Sequence, residues 1–280
     1  IETSLECFAA ADLIFLCAPV SKNIDYLTKL SAIVSSDCIL TDVGSVKGSI
    51  HTAAKSCGLS HQFIGGHPMA GSEQTGYANS NLELLENAYY ILTPCSDTPK
   101  HITDYMSKLV ERFGAIPVIL DAVEHDNITA AISHVPHIIA AQLVNLIRTA
   151  DDDKERMRML AAGGFKDITR IASSSPSMWQ SICLENASGI KHTLELYINL
   201  LTDAYNAVSS GDAAFLHQIF EQAGNYRSSI PNRKGMLNRF FEIFIDISDE
   251  AGAIATIATL LGANGISIKN IGIIHNREFE

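Results

Sequence analysis

Apolar runs alternate with helical patterns over the first part of the chain. The helical patterns lie at about residues 23–34, 45–57 and 99–113. The apolar runs have the length and continuity expected of strands buried on both faces: Leu13–Ala18, Cys38–Val43, Phe63–Ile64, Tyr89–Leu92 and Ile116–Leu120. This alternation predicts an α/β domain with a parallel sheet over residues 1–121, and the right-handed crossover rule favours a doubly wound arrangement.

The pattern becomes helical from about Ala122. Residues 125–149 carry apolar side chains at helical spacing, and Pro136 within them predicts a kink. Further helical patterns cover about 177–208 and 212–225, so we expect residues 122–228 to form an all-helical domain. Its wide apolar surface favours dimerisation through helices.

A polar linker at 227–238 separates this domain from residues 239–280. The last segment predicts a partial βαβ unit: a strand over Phe240–Asp246, a helix opening at 248–252 and ending near Gly262, and a strand from Gly265 to near His275. A compact module needs more elements, so we expect this unit to be cut short. The sequence also has no G-x-G-x-x-G turn, with which a doubly wound dinucleotide domain begins, so we expect the amino-terminal unit of the sheet to be absent.

The charge balance narrows the classes of partner. Lys and Arg number 20 against 31 Asp and Glu, for a net charge of −11. An acidic chain argues against nucleic acid and anionic membranes as main partners, although it leaves an anionic small substrate open. The six scattered cysteines include no C-x-x-C pair, which indicates reduced, mostly buried thiols in a cytoplasmic protein. We find no signal peptide and no apolar run of membrane-spanning length.

His67 is the first candidate for chemistry. It follows the short apolar run 62–64 and the pair Gly65-Gly66, so it is predicted to lie in a glycine-rich loop at the carboxyl end of a strand. Open α/β sheets place their active sites at this edge. An imidazole with an unperturbed pKa of about 6.5 can accept a proton near neutral pH. Position alone leaves a structural loop histidine equally open.

Two other predicted strand ends point to the same edge of the sheet. Cys17, Ala18 and Pro19 end the first strand with small residues that allow a ligand close to the backbone, although an ordinary strand exit would look the same. Ser45 follows the next strand and is placed to cap the helix after it. Its hydroxyl is expected to face the crevice of His67, and a plain N-cap is an equally good explanation.

A polar stripe runs along the long helix 125–149. Ser133 and His137 are four residues apart and share a face, and His125 lies about two turns earlier, near the same stripe. His134 lies off the stripe and is predicted to be structural. The chain has no H-E-x-x-H motif, so we expect no metal site.

Arg170 follows the pair Gly163-Gly164 in an apolar setting. Its guanidinium could bind a carboxylate in bidentate fashion, and a structural salt bridge to Asp167 or Glu73 is the alternative. Trp179 is the single tryptophan, and packing is the default explanation for it.

Five motifs, in this order, together resemble the prephenate dehydrogenase family over about residues 7–225. They are Leu16-Cys17-Ala18-Pro19, the stretch 42–47 (DVGSVK), the stretch 65–73 (GGHPMAGSE), the stretch 133–137 (SHVPH) and the stretch 163–179. The tail from about residue 239 resembles the first half of an ACT regulatory domain. The resemblance implies a Rossmann-like domain, a helical dimerisation domain and the NAD-dependent oxidative decarboxylation of prephenate to 4-hydroxyphenylpyruvate, on the route to tyrosine.

The resemblance also implies roles for individual residues. His67 matches the catalytic histidine that acts on the 4-hydroxyl of prephenate, and Ser45 matches the serine between that hydroxyl and the nicotinamide. Arg170 matches the residue that holds a substrate carboxylate. The remaining matches are substrate-pocket residues (His125, Ser133, His137), residues that gate the pocket mouth (Glu73, Asp167, Trp179) and the cofactor-side residues Cys17, Ala18 and Pro19.

Several alternatives stay open at this point. The acidic residue that separates NAD from NADP is not found, so NADP is not excluded. Arogenate dehydrogenase, which acts on a substrate with a side-chain amine, fits the same residues. A non-catalytic amino-acid-binding regulator would explain the missing phosphate-binding turn. The resemblance further implies a homodimer and tyrosine as an effector at the ACT-like tail.

Overall fold

A computed structural model describes residues 4–71 and 79–230, and within the C-terminal region residues 243, 245–247, 250, 252–266, 268 and 271. The chain divides into two compact units, residues 1–238 and residues 239–280.

The first unit is built on a five-stranded sheet whose strands follow one another in chain order. The strands are β1 (Leu13–Leu16), β2 (Ile39–Asp42), β3 (Phe63–Pro68), β4 (Tyr89–Pro94) and β5 (Ile116–Ile119). Strands β1, β2 and β3 are parallel, and so are β4 and β5. Strands β3 and β4 are antiparallel, so the expectation of an entirely parallel sheet is wrong at this pair. Parallel neighbours need a crossover, usually a helix, whereas the described part of the β3–β4 connection holds only a 3₁₀ turn at Leu82–Leu84.

Helices cover both faces of the sheet, as the continuous apolar strands predict. Helices α1 (Val20–Leu30) and α2 (Gly48–Ser56) pack on one face against side chains such as Leu16, Leu40 and Phe63. Helix α3 (Lys100–Arg112) packs on the other face, where Met106 and Val110 meet Ile64 and Leu92. Along β1, Ile14 packs in the core on the first face and its neighbour Phe15 packs against the core on the second face. Both faces of this strand are therefore covered.

A long helical segment follows the sheet, and it changes geometry in the middle. It begins as α4 (Ala122–Thr129), passes through a π-helical turn over Ala130–His134 and continues as α5 (Val135–Ala150). Pro136 lies at the start of α5, directly after the π turn. Because proline has no N–H to donate to the preceding turn, a change of helical register is expected here.

By length and composition, this segment is the one helix among the described residues that could cross a membrane, with a mean hydropathy of 1.4. The sequence analysis expected no apolar run of membrane-spanning length, and by length and composition this helix does not meet that expectation. The segment carries His125, Asp126 and His134 as buried polar residues that hydrogen-bond to other elements. These contacts tie the segment to the other elements of the folded unit.

The rest of this unit is helical, in shorter pieces than the sequence predicts. The helices are α6 (Arg156–Leu160), α7 (Gly163–Thr169), a 3₁₀ helix (Arg170–Ser173), α8 (Pro176–Glu185), α9 (Ala187–Ser210) and α10 (Ala213–Ser229). The single helix expected over 177–208 is interrupted at Asn186, whose side chain bonds to two other elements instead of facing solvent. Helix α10 also extends into the predicted linker.

The second unit contains α11 (Ala253–Ala263), which matches the helix expected there. The two strands predicted beside it, Phe240–Asp246 and Gly265 to near His275, lie largely outside the described residues. The thiols also depart from expectation: all six cysteines are free, but only Cys38 is buried. Cys7 and Cys17 are exposed.

Candidate active site

His67 lies within β3, at its carboxyl end, and pairs with Ile91 of β4. The expected glycine-rich loop is therefore a strand: Gly65 and Gly66 belong to it. A Cβ atom on Gly66 would lie 2.5 Å from the carbonyl oxygen of Asp42, and one on Gly65 would clash with the Thr93 hydroxyl. The two glycines allow β2, β3 and β4 to approach closely, and this approach sets the position of His67.

The imidazole of His67 is held from behind by a second imidazole. Its Nδ1 atom lies 2.8 Å from Nε2 of His125, and the two rings meet edge to face. His125 is fully buried in α4, while His67 is half-buried. His125 was expected as a substrate-pocket residue, and the structure places it behind His67.

Asp126 completes a chain of three side chains. Its Oδ1 atom lies 2.8 Å from Nδ1 of His125 and accepts the backbone N–H of Lys47 at 2.8 Å. Its Oδ2 atom accepts the backbone N–H of Gly48 at 2.8 Å. One carboxylate from α4 thus satisfies the free amides at the start of α2 and orients His125.

At the start of helix α2, Ser45 does not have the capping role expected of it. The N-cap residue of α2 is Lys47, with no capping bond from its own side chain. Ser45 lies two residues earlier, half-buried in the loop between β2 and α2, so the interpretation of Ser45 as the N-cap is wrong. The physical reason is that Asp126, distant in sequence, supplies the acceptor that Ser45 was expected to provide.

A buried ion pair lies beneath the histidines. Lys47 and Asp42 have side chains with no solvent exposure, and Nζ of Lys47 donates to both Asp42 oxygens and to the Gly66 carbonyl at 2.7 Å. Asp42 also accepts the backbone N–H groups of Gly44 and Gly66. Burial lowers the pKa of Lys47, and the Asp42 carboxylate opposes that shift.

These surroundings keep His67 neutral. Burial is the largest cause that lowers its pKa well below the usual range, and the electrostatic influence of the neighbouring His125, Lys47 and His134 lowers it further. A neutral imidazole keeps one nitrogen lone pair. Within the described residues, Nε2 of His67 has no hydrogen-bond partner, so this site offers a nitrogen acceptor to a ligand hydroxyl.

Two further histidines and Trp179 continue the site along the long helix. His137 stacks on Trp179 with ring centres 3.8 Å apart, and Nδ1 of His137 donates to the carbonyl of Ser133 at 2.8 Å. His134 is buried, meets the edge of Trp179 and bonds to Asn186, which confirms its predicted structural role. Burial lowers the pKa of His134 to about 4.

The remaining predicted residues lie further along the chain. Arg170 is exposed and opens the 3₁₀ helix that packs against α5, the helix that carries His137. Asp167 is exposed at the end of α7. Glu73 lies outside the described residues.

The cofactor-side residues lie at the carboxyl end of β1, beside the parallel end of β2. Cys17 and Pro19 are exposed and Ala18 is half-buried, so the backbone here is open to a ligand. Fully buried Asn23 holds the turn: it accepts the N–H of Ala18 and donates to the carbonyl of Leu16, each at 3.1 Å. The carboxyl end of β1 is therefore an open edge of small residues, braced by Asn23.

Sequence reasoning missed four residues that organise the site: Asp42, Lys47, Asp126 and Asn186. Asp42 and Lys47 flank Ser45 in the stretch 42–47, and two opposite charges within a short segment at a strand end are a signal for an ion pair. Asp126 follows His125 directly, and a carboxylate on an otherwise apolar helix is a signal for a buried acceptor. The described residues contain no cluster of three or more potential metal ligands.

Comparison with known families agrees with this geometry. The nucleotide-binding domain model of prephenate dehydrogenase matches residues 1–119, and the dimerization domain model of the same enzyme matches residues 121–222. The chain belongs to the prephenate dehydrogenase family. The two matched regions place His67 in the nucleotide-binding part and His125 in the dimerization part, so the hydrogen bond between them joins the two.

Individual members of the family are similar over most of the chain. Prephenate dehydrogenase of Bacillus subtilis is 38% identical over 96% of this chain and 73% of its own length. The prephenate dehydrogenase of A. aeolicus, solved with hydroxyphenyl propionate and NAD+, is 31% identical with a TM-score of 0.76, over 81% of this chain and 79% of that one. Arogenate dehydrogenase of Synechocystis is 29% identical with a TM-score of 0.73, over 80% of this chain and 81% of that one.

Proposed function

We propose that this chain catalyses the NAD-dependent oxidative decarboxylation of prephenate to 4-hydroxyphenylpyruvate, a step towards tyrosine. Membership of the prephenate dehydrogenase family supports the reaction, and the NAD+ complex of the A. aeolicus relative supports the cofactor. The observation that carries the proposal is His67: a half-buried, neutral imidazole at a strand end, anchored through Nδ1 and with Nε2 available.

In this mechanism His67 accepts the proton of the 4-hydroxyl through Nε2. NAD, when bound, supplies the hydride acceptor for carbon 4 of the ring. As the C–H bond breaks, the hydroxyl carbon becomes a carbonyl and its proton passes to His67. Loss of the ring carboxylate as CO2 then aromatises the ring, and the carbonyl oxygen regains a proton as the phenol.

Other residues position the substrate and cofactor. Arg170 pairs with a substrate carboxylate, because a guanidinium matches a carboxylate in a bidentate pair. Ser133 and His137 line the ring pocket, and Trp179, Asp167 and Glu73 gate its mouth. The stacking of Trp179 on His137 supports this arrangement, since it ties the gate to the pocket wall.

The nicotinamide end of NAD lies against Cys17, Ala18 and Pro19, with Ser45 between it and the substrate hydroxyl. The open backbone at the end of β1 and the half-buried Ser45 on the neighbouring strand end support this placement. His125 acts on the substrate indirectly, through His67.

Arogenate is the second candidate substrate. The structural similarity to the arogenate dehydrogenase of Synechocystis favours it, with a TM-score of 0.73. Arogenate differs from prephenate at the side-chain amine, so the proposed chemistry at carbon 4 and at His67 is the same for both.

One assay separates these functions. Formation of NADH is followed by absorbance with prephenate and then with arogenate, with NAD and with NADP. We expect activity with prephenate, and activity with neither substrate would refute the enzyme assignment. His67→Asn should lower kcat about 10²- to 10⁴-fold, the usual size of general-base catalysis.

Arg170→Gln provides a second, different signature. Loss of a charge-assisted contact is worth about 1.5–3 kcal/mol and should raise KM more than it lowers kcat. Lys108→Gln, at an exposed position of α3, is a matched control that should change neither constant. A KM that stays unchanged in Arg170→Gln would remove Arg170 from substrate binding.

We also propose that the protein is a homodimer through its helical part. The matched dimerization domain supports this, and α9 and α10 carry many exposed large apolar side chains: Leu196, Leu200, Leu201, Tyr205, Val208 and Phe220. Light scattering should give a molar mass near twice the 30.3 kDa of one chain, and a mass of one chain would contradict the proposal.

Tyrosine remains a proposed effector at the ACT-like segment 239–280. The support is the strand–helix–strand pattern of the sequence, of which helix α11 is described. Inhibition by tyrosine that persists after removal of residues 239–280 would show that the sensor lies elsewhere. The domain limits 1–121, 122–228 and 239–280 and a cytoplasmic location likewise stay proposals from the sequence.

A further inference from the structure

Asp126 receives hydrogen bonds from groups that can only donate. The backbone amides of Lys47 and Gly48 point at its two oxygens, at 2.8 Å each. An ionised carboxylate is acceptor-only and has no proton of its own to give. The third partner of Asp126, Nδ1 of His125, must therefore carry a proton and donate it to Oδ1.

This contact fixes the remaining nitrogen of His125. A neutral imidazole with its proton on Nδ1 has a lone pair on Nε2. His125 is fully buried, and among the described residues the one hydrogen-bond partner of its Nε2 is Nδ1 of His67, at 2.8 Å. With His125 neutral, the hydrogen bond between the rings forms only when His67 donates from Nδ1.

The same argument then applies to His67. With its proton on Nδ1, a neutral His67 has its lone pair on Nε2, the nitrogen without a partner among the described residues. The opposite arrangement would direct an N–H of His125 at His67 and leave His67 with a donor, not an acceptor, on Nε2. Such a histidine could not take a proton from a hydroxyl.

We propose that Asp126, through His125, fixes the tautomer of His67 so that its Nε2 atom is the proton acceptor of the reaction. Asp126 and His125 are positioning residues: they set the direction of both hydrogen bonds without contact to the substrate. The inference deepens the proposed function and rests on it for the identity of the hydroxyl. The direction of the hydrogen bonds is a separate property and is measured separately.

The wild-type protein offers a direct test by NMR of ¹⁵N-labelled histidine at neutral pH. His67 should show a protonated Nδ1 and an unprotonated Nε2. A His67→Asn sample assigns the signals by their loss. A protonated Nε2 on His67 would overturn the proposal, and this result does not depend on activity with any substrate.

A pair of variants at position 125 tests the catalytic consequence. In His125→Gln, the side-chain amide can donate its NH₂ group to Asp126 and present its oxygen to Nδ1 of His67. Both hydrogen bonds then keep their direction. In His125→Leu, a side chain of similar size offers neither group. We expect kcat of His125→Gln to stay within about 5-fold of wild type, and kcat of His125→Leu to fall about 10- to 100-fold with little change in KM.

The two variants also separate orientation from folding. Circular dichroism and the KM for prephenate report whether His125→Leu still folds and binds, and its NMR spectrum should show loss of the single tautomer of His67. Equal losses of kcat in both variants would overturn the proposal. If the wild-type protein oxidises neither prephenate nor arogenate, the proposed function is refuted. The NMR measurement still tests the tautomer of His67, because it does not depend on activity.

Discussion

Lys47 should be essential to stability because, among the described residues, it is the cation that pairs with Asp42 beneath His67. Both side chains have no solvent exposure. In Lys47→Met, Asp42 keeps two backbone N–H donors, from Gly44 and Gly66, but loses its counter-charge. Removal of one partner from a buried ion pair costs about 3–5 kcal/mol of the free energy of unfolding.

This cost should depend on pH in a defined direction. In Lys47→Met the Asp42 carboxylate is buried without a counter-charge, so the folded variant favours the protonated carboxyl group more than the unfolded chain does. The folded state then holds a proton over a window of pH in which the unfolded state releases it, so stability is lost as pH rises through that window. Each pH unit of the window changes the free energy of unfolding by about 1.4 kcal/mol. Lys47→Met should therefore be less destabilised at about pH 5.5 than at about pH 8.

Urea unfolding followed by circular dichroism measures this difference. Wild type, Lys47→Met and the control Lys108→Met are compared at both pH values, so that the pH dependence of the wild type is subtracted. Lys108 is exposed on α3, and its substitution should change stability by less than about 0.5 kcal/mol. A loss in Lys47→Met that is the same at both pH values would refute the electrostatic explanation and assign the cost to packing.

Two further predictions concern the same site. Gly66→Ala should destabilise the protein by about 1–3 kcal/mol in thermal unfolding, because its Cβ would lie 2.5 Å from the Asp42 carbonyl oxygen and 2.9 Å from the Tyr90 hydroxyl. The control Gly224→Ala, which has open space around it in α10, should lose no stability. Equal losses in the two variants would contradict the close approach of the strands at Gly66. Burial lowers the pKa of folded His134 to about 4, so it stays neutral at a pH where the unfolded chain, with a pKa of about 6.5, takes up a proton. The free energy of unfolding therefore decreases as the pH is lowered, by up to about 2 kcal/mol at about pH 5. His134→Asn should reduce that slope in urea unfolding, and an unchanged slope would show that His134 is not its source.

The strands of the sheet were predictable because each is a short, continuous apolar run. The antiparallel β3–β4 pair was also signalled, since no helical pattern lies between residues 64 and 89. A rule that assigns parallel pairing to alternating strands and helices does not apply where the sequence has no helical pattern between two strands.

The break at Asn186 shows a different limit. The apolar pattern of residues 177–208 is continuous, and asparagine is only a mild helix breaker. The helix ends because the side chain of Asn186 donates to the carbonyl of Asp126 and meets His134, which lie 60 and 52 residues away in sequence. A single sequence does not reveal such long-range partners, so local propensity alone predicts one helix.

The failed interpretation of Ser45 shows how the site depends on the fold as a whole. Local chemistry was sufficient to predict that the start of α2 needs an acceptor, and Ser45 was the nearest one. The acceptor is Asp126, which is 79 residues from Lys47 and belongs to a helix after the sheet. The same carboxylate holds His125, and His125 holds His67. Because one residue satisfies the helix start and orients the histidines, a shift of α4 against α2 would disturb both at once, and the acceptor nitrogen of His67 is set by contacts between the two parts of the first unit.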